Sequence, residues 1–230
     1  MCGRYITKDQ RALERELPFL DVRDWPQFEA SYNVAPTQLA PVVVPAGEHA
    51  ACRLMRFGLI PFFAKGVPGS YSTINARVES FQTSPAYRGA WRRAQRCLVL
   101  AGGFYEWHVP EDGSARQPYF IRPADQDSFA FAGLWDASRA DDGVVTESFS
   151  IITLPASVLM AQIHNARQRE PAMLPARDCL AWLRGAPPEA LAALKPYPDD
   201  LLSAWPVSTR VNSPKNNDPR LIEPLTSAAP

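Results

Sequence analysis

The chain has 230 residues, of which 46% are hydrophobic, and this length suits one large domain or two small ones. No apolar run approaches the roughly 18 residues of a membrane span, and no apolar secretory stretch follows Met1, so we expect a cytoplasmic protein. The formal net charge is zero and the four cysteines are widely separated, which argues against DNA binding by overall charge, a metal centre and a disulfide framework.

Local patterns in the first half predict short elements separated by Pro and Gly. Residues 8–17 predict a helix that Pro18 ends, and strand patterns follow at residues 41–45, 52–60 and 72–78. In the last of these, strict alternation predicts a core face of Ile74, Ala76 and Val78. The opposite, polar face then carries Asn75, Arg77 and Glu79.

The second half adds more strands than helices. Strands are predicted at residues 96–101, 104–109, 118–122, 128–135, 147–153 and 205–211, and helices at residues 156–166, 176–184 and 188–194. We therefore expect one α+β domain over residues 1–225, with a curled, barrel-like, mostly antiparallel sheet flanked by a few short helices, and a tail at 226–230.

The start of the chain carries the first candidate chemistry. Cys2 has a small side chain, which permits removal of Met1, and the product carries an α-amine and a thiol on one residue. Their ordinary pKa values, about 7.7–8.0 and about 8.5, leave both groups partly available near neutral pH. Such an aminothiol condenses with aldehydes or attacks amides. The alternative is that Cys2 is simply a small second residue.

Three further positions could serve a site. Glu106 lies in an aromatic strand after Gly102-Gly103, where apolar surroundings would raise its pKa toward the range useful for proton transfer. His164 lies in a segment of apolar and small residues. Phe62-Phe63 precedes a Gly/Pro loop, where exposed rings could stack on bases. Each also has a plain structural reading, as a solvent-facing acid, a satisfied histidine and packed core rings.

Several short motifs together resemble one known family. In chain order they are Met1-Cys2-Gly3-Arg4, Tyr32-Asn33-Val34-Ala35-Pro36, Arg56-Phe57-Gly58-Leu59-Ile60-Pro61, Asn75-Ala76-Arg77, Gly103-Phe104-Tyr105-Glu106-Trp107, Phe131-Ala132-Gly133-Leu134-Trp135, Ile163-His164-Asn165 and Val207-Ser208-Thr209-Arg210-Val211-Asn212. This ordered set resembles the SOS-response-associated peptidase (SRAP) family, whose members shield abasic sites in single-stranded DNA.

The resemblance implies a role for each matching residue. Cys2 would form a Schiff base and then a thiazolidine with the sugar aldehyde. Catalytic partners would be Asn75 holding the opened sugar, Glu106 moving protons and His164 binding the sugar hydroxyl or assisting ring opening. The implied DNA-binding residues are Arg4, Asn33, Phe62, Phe63, Arg77 and Arg169. The same catalytic residues would remove Met1, no cofactor or metal would be needed, and the protein would act as a monomer on single-stranded DNA containing abasic sites.

Four positions depart from the family pattern. The family usually has Trp at Phe57 and near Phe63, which implies a smaller aromatic wedge. Glu170 stands where Met is usual and places an acid beside Arg169, and Gly102 replaces a usual Asp. These changes imply weaker or altered DNA contacts, and they leave the residues of the covalent chemistry in place.

Two other functions remain open from the sequence. Class II glutamine amidotransferases also begin Met-Cys-Gly, although the Arg4–Thr7 segment and the lack of an Asn-Gly motif count against them. A non-catalytic single-strand-binding module is the other. It fits poorly with zero net charge and only four lysines among 24 basic residues, because such binding is largely electrostatic.

Overall fold

The computed structural model describes residues 2–69 and 72–225. The strands within these ranges are β1 Tyr5–Thr7, β2 Val22–Asp24, β3 Ser31–Val34, β4 Leu39–Ala46, β5 His49–Phe57, β6 Asn75–Arg77, β7 Arg96–Ala101, β8 Gly103–His108, β9 Gln117–Pro123, β10 Phe129–Arg139, β11 Val145–Pro155, β12 Arg169–Pro171, β13 Met173–Leu174 and β14 Leu202–Pro206. The α-helices are α1 Gln10–Glu16, α2 Arg88–Arg92, α3 Val158–Ile163, α4 Ala176–Arg184 and α5 Pro187–Ala192.

Five strands close into a barrel in the order β11-β10-β7-β4-β5. The neighbours along this path are antiparallel, and a parallel pairing of β5 with β11 closes the ring. At the closure Phe57 lies opposite Phe149, and their rings stack with centroids 5.2 Å apart. The expected α+β fold with a curled, barrel-like sheet is confirmed.

Both faces of the barrel strands are buried, which explains their nearly continuous apolar sequences. Val42 and Val44 belong to a cluster with Cys2 and Phe57. Val43, between them in β4, belongs to a second cluster that includes Trp182 of α4. All six residues of β7 are accordingly buried.

A second sheet brings the start of the chain to the barrel. Its strand order is β14-β9-β8-β1-β3, and β1 pairs antiparallel with β8, with Tyr5 opposite Phe104. Alternation along β8 directs Phe104 into the cluster that contains Cys2 and Tyr105 into a different cluster. Glu106, two residues after Phe104, therefore lies on the same side of β8 as the beginning of the chain.

One predicted strand is shorter in the structure. The last strand was predicted to run to residue 211, but β14 ends at Pro206 and a 3-10 turn follows at Thr209–Asn212, because the Ser208 hydroxyl accepts a hydrogen bond from the Arg210 N–H. The predicted tail, residues 226–230, lies outside the described residues. Among the helices that the structure describes, none has the length and apolarity to cross a membrane.

Candidate active site

Cys2 lies in the core beside the barrel and is 1% exposed. The Asn75 side-chain amide donates to the Cys2 carbonyl oxygen at 3.1 Å. Burial, with a smaller contribution from the Glu106 charge, raises the pKa of the Cys2 thiol well above its usual range. The thiol is therefore protonated at neutral pH.

Asn75 is positioned by strand pairing and by one tyrosine. β6 pairs parallel with β11, with Asn75 opposite Ile151, and the Tyr87 hydroxyl donates to the Asn75 carbonyl oxygen at 2.9 Å. The sequence pattern put Asn75 on the polar face of the strand, and the structure buries this side chain, which is 8% exposed and points toward Cys2. Its buried Oδ1 atom accepts no hydrogen bond within the described chain, so it remains an acceptor for a donor entering the site.

Glu106 and His164 form a buried carboxyl–imidazole pair. His164 follows the last residue of α3, and its Nδ1 atom lies 2.8 Å from the Arg169 carbonyl oxygen. A carbonyl can only accept a hydrogen bond, so Nδ1 carries the proton and the Nε2 lone pair faces inward. His164 Nε2 lies 3.6 Å from Glu106 Oε2.

Burial inverts the ordinary acidity of this pair. It raises the pKa of Glu106 to about 7 and lowers the pKa of His164 to about 4. The imidazole is therefore neutral at physiological pH, while the carboxyl is divided between its protonated and ionised forms. A carboxyl with a pKa near the working pH can both give and take a proton during one reaction.

A cavity of about 280 Å³ opens onto this pair. Its lining residues are Ile74, Glu106, Trp107, Val109, Arg116, His164, Ala166 and Arg167. Asn165 fixes its shape, because the Asn165 side-chain amide donates to the Val109 carbonyl at 2.8 Å and accepts from the Val109 N–H at 3.0 Å. These two hydrogen bonds hold the turn after α3 against the end of β8. We call Glu106 and His164 the floor of this cavity, and Arg116 and Arg167 its rim.

Arg4 and Asn33, both predicted to contact DNA, connect the two ends of the domain. Arg4 donates to the Asn33 side-chain oxygen at 2.9 Å and to the Val211 carbonyl at 2.7 Å. Asn33 is 1% exposed, and its amide nitrogen donates to the carbonyls of Val211, Ser213 and Asn216. A direct DNA contact at Asn33 would require this segment to move.

Arg77 and Arg169 differ in their surroundings. Arg77 is exposed on β6. Arg169 pairs with Glu79 through both terminal nitrogens and also donates to the Thr153 carbonyl at 2.7 Å.

Glu170 is 1% exposed and accepts from the Ser157 N–H at 2.6 Å, so its carboxylate caps α3. The acid that was expected to disturb Arg169 is therefore directed elsewhere, and Glu79 neutralises Arg169 instead.

Phe62 and Phe63 form an exposed aromatic pair. They are 51% and 54% exposed and meet edge to face, with centroids 5.5 Å apart. The Arg93 guanidinium lies 4.5 Å from the Phe62 ring centroid, and Asp136 binds both Arg93 and the Phe62 N–H. The expectation that Phe57 contributes to a smaller wedge was wrong, because Phe57 is completely buried in the barrel.

Sequence reasoning found the floor of the cavity and missed its rim. Arg116 and Arg167 lie in polar loops and carry no periodic signal, so nothing local distinguished them from other arginines. Asn165 could have been recognised only from its place beside His164. Among the described residues, no group of three or more His, Cys, Asp or Glu side chains could hold a metal ion.

Comparison with known proteins identifies the class to which this fold and site belong. The model of the SOS response associated peptidase (SRAP) family matches residues 1–214, and the chain belongs to this family. Membership disfavours the amidotransferase alternative.

The relatives include proteins of similar length. Abasic site processing protein YoqW of Bacillus subtilis is 36% identical over 86% of this chain and 87% of its own, and YoaM of the same organism is 33% identical over 97% and 98%. Abasic site processing protein HMCES of Xenopus tropicalis is 31% identical over 87% of this chain and 70% of its own. A crystal structure from Bacteroides thetaiotaomicron covers 98% of this chain and 100% of its own with a TM-score of 0.81 at 24% identity, which supports the fold.

Proposed function

We propose that this protein processes abasic sites in single-stranded DNA by forming a covalent crosslink through Cys2. The observation that carries the proposal is the convergence of the Cys2 thiol and carbonyl, the Asn75 amide and the Glu106–His164 pair at one buried place. Relatives named abasic site processing proteins support the choice of substrate.

The reaction requires the free α-amine of Cys2. After Met1 is removed, the amine attacks the C1 aldehyde carbon of the opened sugar, and loss of one water gives a Schiff base. The Cys2 sulfur then adds to the same carbon and closes a thiazolidine ring, while the thiol proton is transferred to the nitrogen. One aldehyde and one aminothiol thus give one ring and one water.

The pKa values favour this order of steps. Burial keeps the Cys2 thiol protonated, so the amine is the first nucleophile. Glu106, with a pKa of about 7, can donate a proton to the departing hydroxyl and then accept the thiol proton during ring closure. Neutral His164 can accept a hydrogen bond from a sugar hydroxyl at Nε2, because Nδ1 carries the proton. Asn75 Oδ1 provides a second acceptor for the opened sugar.

The exposed Phe62–Phe63 pair suits contact with unpaired bases. Every base has a face that can stack on an aromatic ring, so such contacts tolerate any sequence. In this proposal the pair orders the strand beside the lesion, and Arg77 contacts the backbone.

Removal of Met1 by the protein itself is the second part of the proposal. The Asn75 amide already donates to the Cys2 carbonyl, and Glu106 acts electrostatically on the Cys2 thiol, so the catalytic residues surround the start of the chain. Intact mass of the protein expressed with Glu106→Gln, compared with wild type, tests this part. Retention of Met1 in the variant alone supports self-removal, and equal processing of both proteins contradicts it.

A denaturing gel tests the crosslink. Mature protein is mixed with an oligonucleotide whose single uracil has been removed by uracil-DNA glycosylase, and we expect a band of protein plus DNA that survives heating in detergent. Cys2→Ala should abolish it, and Cys179→Ala serves as the matched control, because Cys179 is an equally buried thiol that packs in a different core cluster from Cys2. A wild-type lane without the band, or an undiminished band in Cys2→Ala, would refute the proposal.

A further inference from the structure

The two arginines on the rim of the cavity are the strongest unassigned feature of the molecule. Arg116 comes from the loop between β8 and β9, and Arg167 from the turn between α3 and β12. Both are exposed, and neither guanidinium group forms a hydrogen bond or an ion pair with the described residues. Two cations from separate loops therefore stand beside one opening with their charges unneutralised.

Several other arginines are already neutralised by acids. Arg169 pairs with Glu79, and the same holds for the pairs Arg53–Glu147, Arg93–Asp136, Arg122–Asp127 and Arg210–Asp218. A phosphate would have to displace a carboxylate from each of these arginines. At the rim it would displace only water, so the rim offers the stronger anion site.

The backbone of the turn separates Arg167 from Arg169. Gln168 has a left-handed conformation with φ of 49°, and both the Arg167 and Gln168 N–H groups donate to the His164 carbonyl. This tight turn places Arg167 at the cavity and Arg169 against Glu79 and Thr153. Arg167 also acts on the floor, because its charge contributes to lowering the pKa of both Glu106 and His164.

Trp107 completes the arrangement with an aromatic wall. Its indole N–H donates to the Asn212 side-chain oxygen at 2.8 Å, so the orientation of the ring is fixed. The cavity thus combines a flat ring, two guanidinium groups and a proton-transferring carboxyl. Guanidinium groups bind phosphate through two parallel hydrogen bonds, and this combination fits a sugar with its neighbouring phosphates.

We propose that Arg116 and Arg167 bind backbone phosphates of the DNA strand beside the abasic sugar. This inference rests on the proposed function, since it assigns the backbone contacts of the same site. The arginines are positioning residues, which fix the sugar over Glu106 and His164.

Binding can be measured without the covalent step. A fluorescent single-stranded oligonucleotide with a tetrahydrofuran abasic analogue has the phosphates and lacks the aldehyde. We expect Arg116→Ala and Arg167→Ala each to raise its dissociation constant roughly tenfold, because each loses a charge-assisted contact. The slope of log affinity against log salt should fall by about 0.7 in each. Arg177→Ala removes an exposed arginine of α4 that does not line this cavity, and it should match wild type.

A pH profile separates positioning from a general loss of charge. At saturating abasic DNA, Arg167→Ala should move the high-pH decline of the crosslinking rate to higher pH, since Glu106 loses a cation that lowers its pKa. Arg116→Ala should leave this decline in place. Arg167→Lys should keep the wild-type profile, because it retains the charge.

The outcomes distinguish this inference from the function on which it rests. Unchanged affinity and salt slope in both rim variants, together with normal wild-type crosslinking, would overturn the inference and leave the proposed function standing. Loss of affinity in the rim variants, with no wild-type crosslink to true abasic DNA, would support the phosphate contacts and refute the crosslinking function. A salt slope that falls in Arg169→Ala but in neither rim variant would contradict the inference, because the phosphate contact would then lie at Arg169.

Discussion

The floor and the rim of the cavity contain ionisable side chains in opposite environments. Glu106 and His164 are almost completely buried, and burial shifts both pKa values toward neutral forms. Arg116 and Arg167 are exposed to solvent. Proton transfer at the floor depends on the exclusion of water, whereas binding of a charged DNA strand at the rim depends on side chains that extend into the solvent. Changes at the floor should therefore affect rate, and changes at the rim should affect affinity.

The largest expected effect lies at the floor. Glu106→Gln removes the proton donor and acceptor while keeping the size of the side chain, and it should slow crosslinking about 100-fold, as is typical when a general acid–base group is lost. Single-turnover gels at saturating abasic DNA measure this rate. Affinity for the tetrahydrofuran analogue should stay within about twofold of wild type. A Glu106→Gln variant that loses affinity for DNA and keeps its crosslinking rate would contradict the separate roles of the floor and the rim.

The floor also predicts how stability depends on pH. Folded Glu106 keeps its proton up to a pH of about 7, so its contribution to stability falls as pH rises above the unfolded pKa of about 4.3. Folded His164 loses its proton near pH 4, so its contribution rises with pH up to the unfolded pKa of about 6.5. Between pH 4.5 and 6.5 these two contributions oppose each other.

Glu106→Gln should expose the histidine contribution alone. Relative to wild type, the unfolding free energy of the variant should rise by about 2 kcal/mol between pH 4.5 and 6.5. Urea titrations of both proteins across this range provide the measurement. Parallel pH profiles would mean that the carboxyl and the imidazole have ordinary acidity in the fold.

Exposed and buried phenylalanines outside the cavity provide a second comparison. Phe62→Ala with Phe63→Ala should weaken binding of the tetrahydrofuran oligonucleotide roughly tenfold, since stacking contributes about 1–3 kcal/mol per base. Stability should change little, because both rings are more than half exposed. Phe57→Ala is the contrasting variant, and it should destabilise the fold by about 3–5 kcal/mol through a cavity in the barrel. Equal stability losses in the two variants would contradict the distinction.

The sequence predicted the local elements better than their association. The patterns at residues 96–101 and 176–184 coincide with β7 and α4, because each has a uniform periodicity. Closure of the barrel depends on the parallel pairing of Phe57 with Phe149, and no local pattern encodes a contact across 92 positions. The same holds for Asn75, whose polarity indicated solvent although pairing with β11 buries it beside Cys2.

The site residues that belong to recognisable sequence motifs could be predicted. Those whose position depends on the local backbone conformation could not. Cys2, Asn75, Glu106 and His164 were identified from the sequence, and the structure brings them together. Whether Arg167 or Arg169 lines the cavity depends on the backbone conformation of Gln168, and the sequence does not reveal that conformation.

The smallest expected effect concerns this turn. Gln168→Gly relieves the left-handed conformation but increases the freedom of the unfolded chain, so the free energy of unfolding should change by less than about 0.5 kcal/mol. Gln168→Val should destabilise by about 1–2 kcal/mol, because a β-branched residue tolerates positive φ poorly. Urea midpoints compare the two. A valine variant as stable as the glycine variant would show that the turn does not hold this conformation in solution.

Intact mass spectrometry of the protein after reaction with an abasic oligonucleotide tests the central claim most directly. We expect a single adduct whose mass equals the chain without Met1 plus the oligonucleotide minus one water, stable without borohydride reduction and absent from Cys2→Ala. An adduct that retains Met1, or one that persists in Cys2→Ala, would contradict the claim that the processed Cys2 terminus is the reactive group.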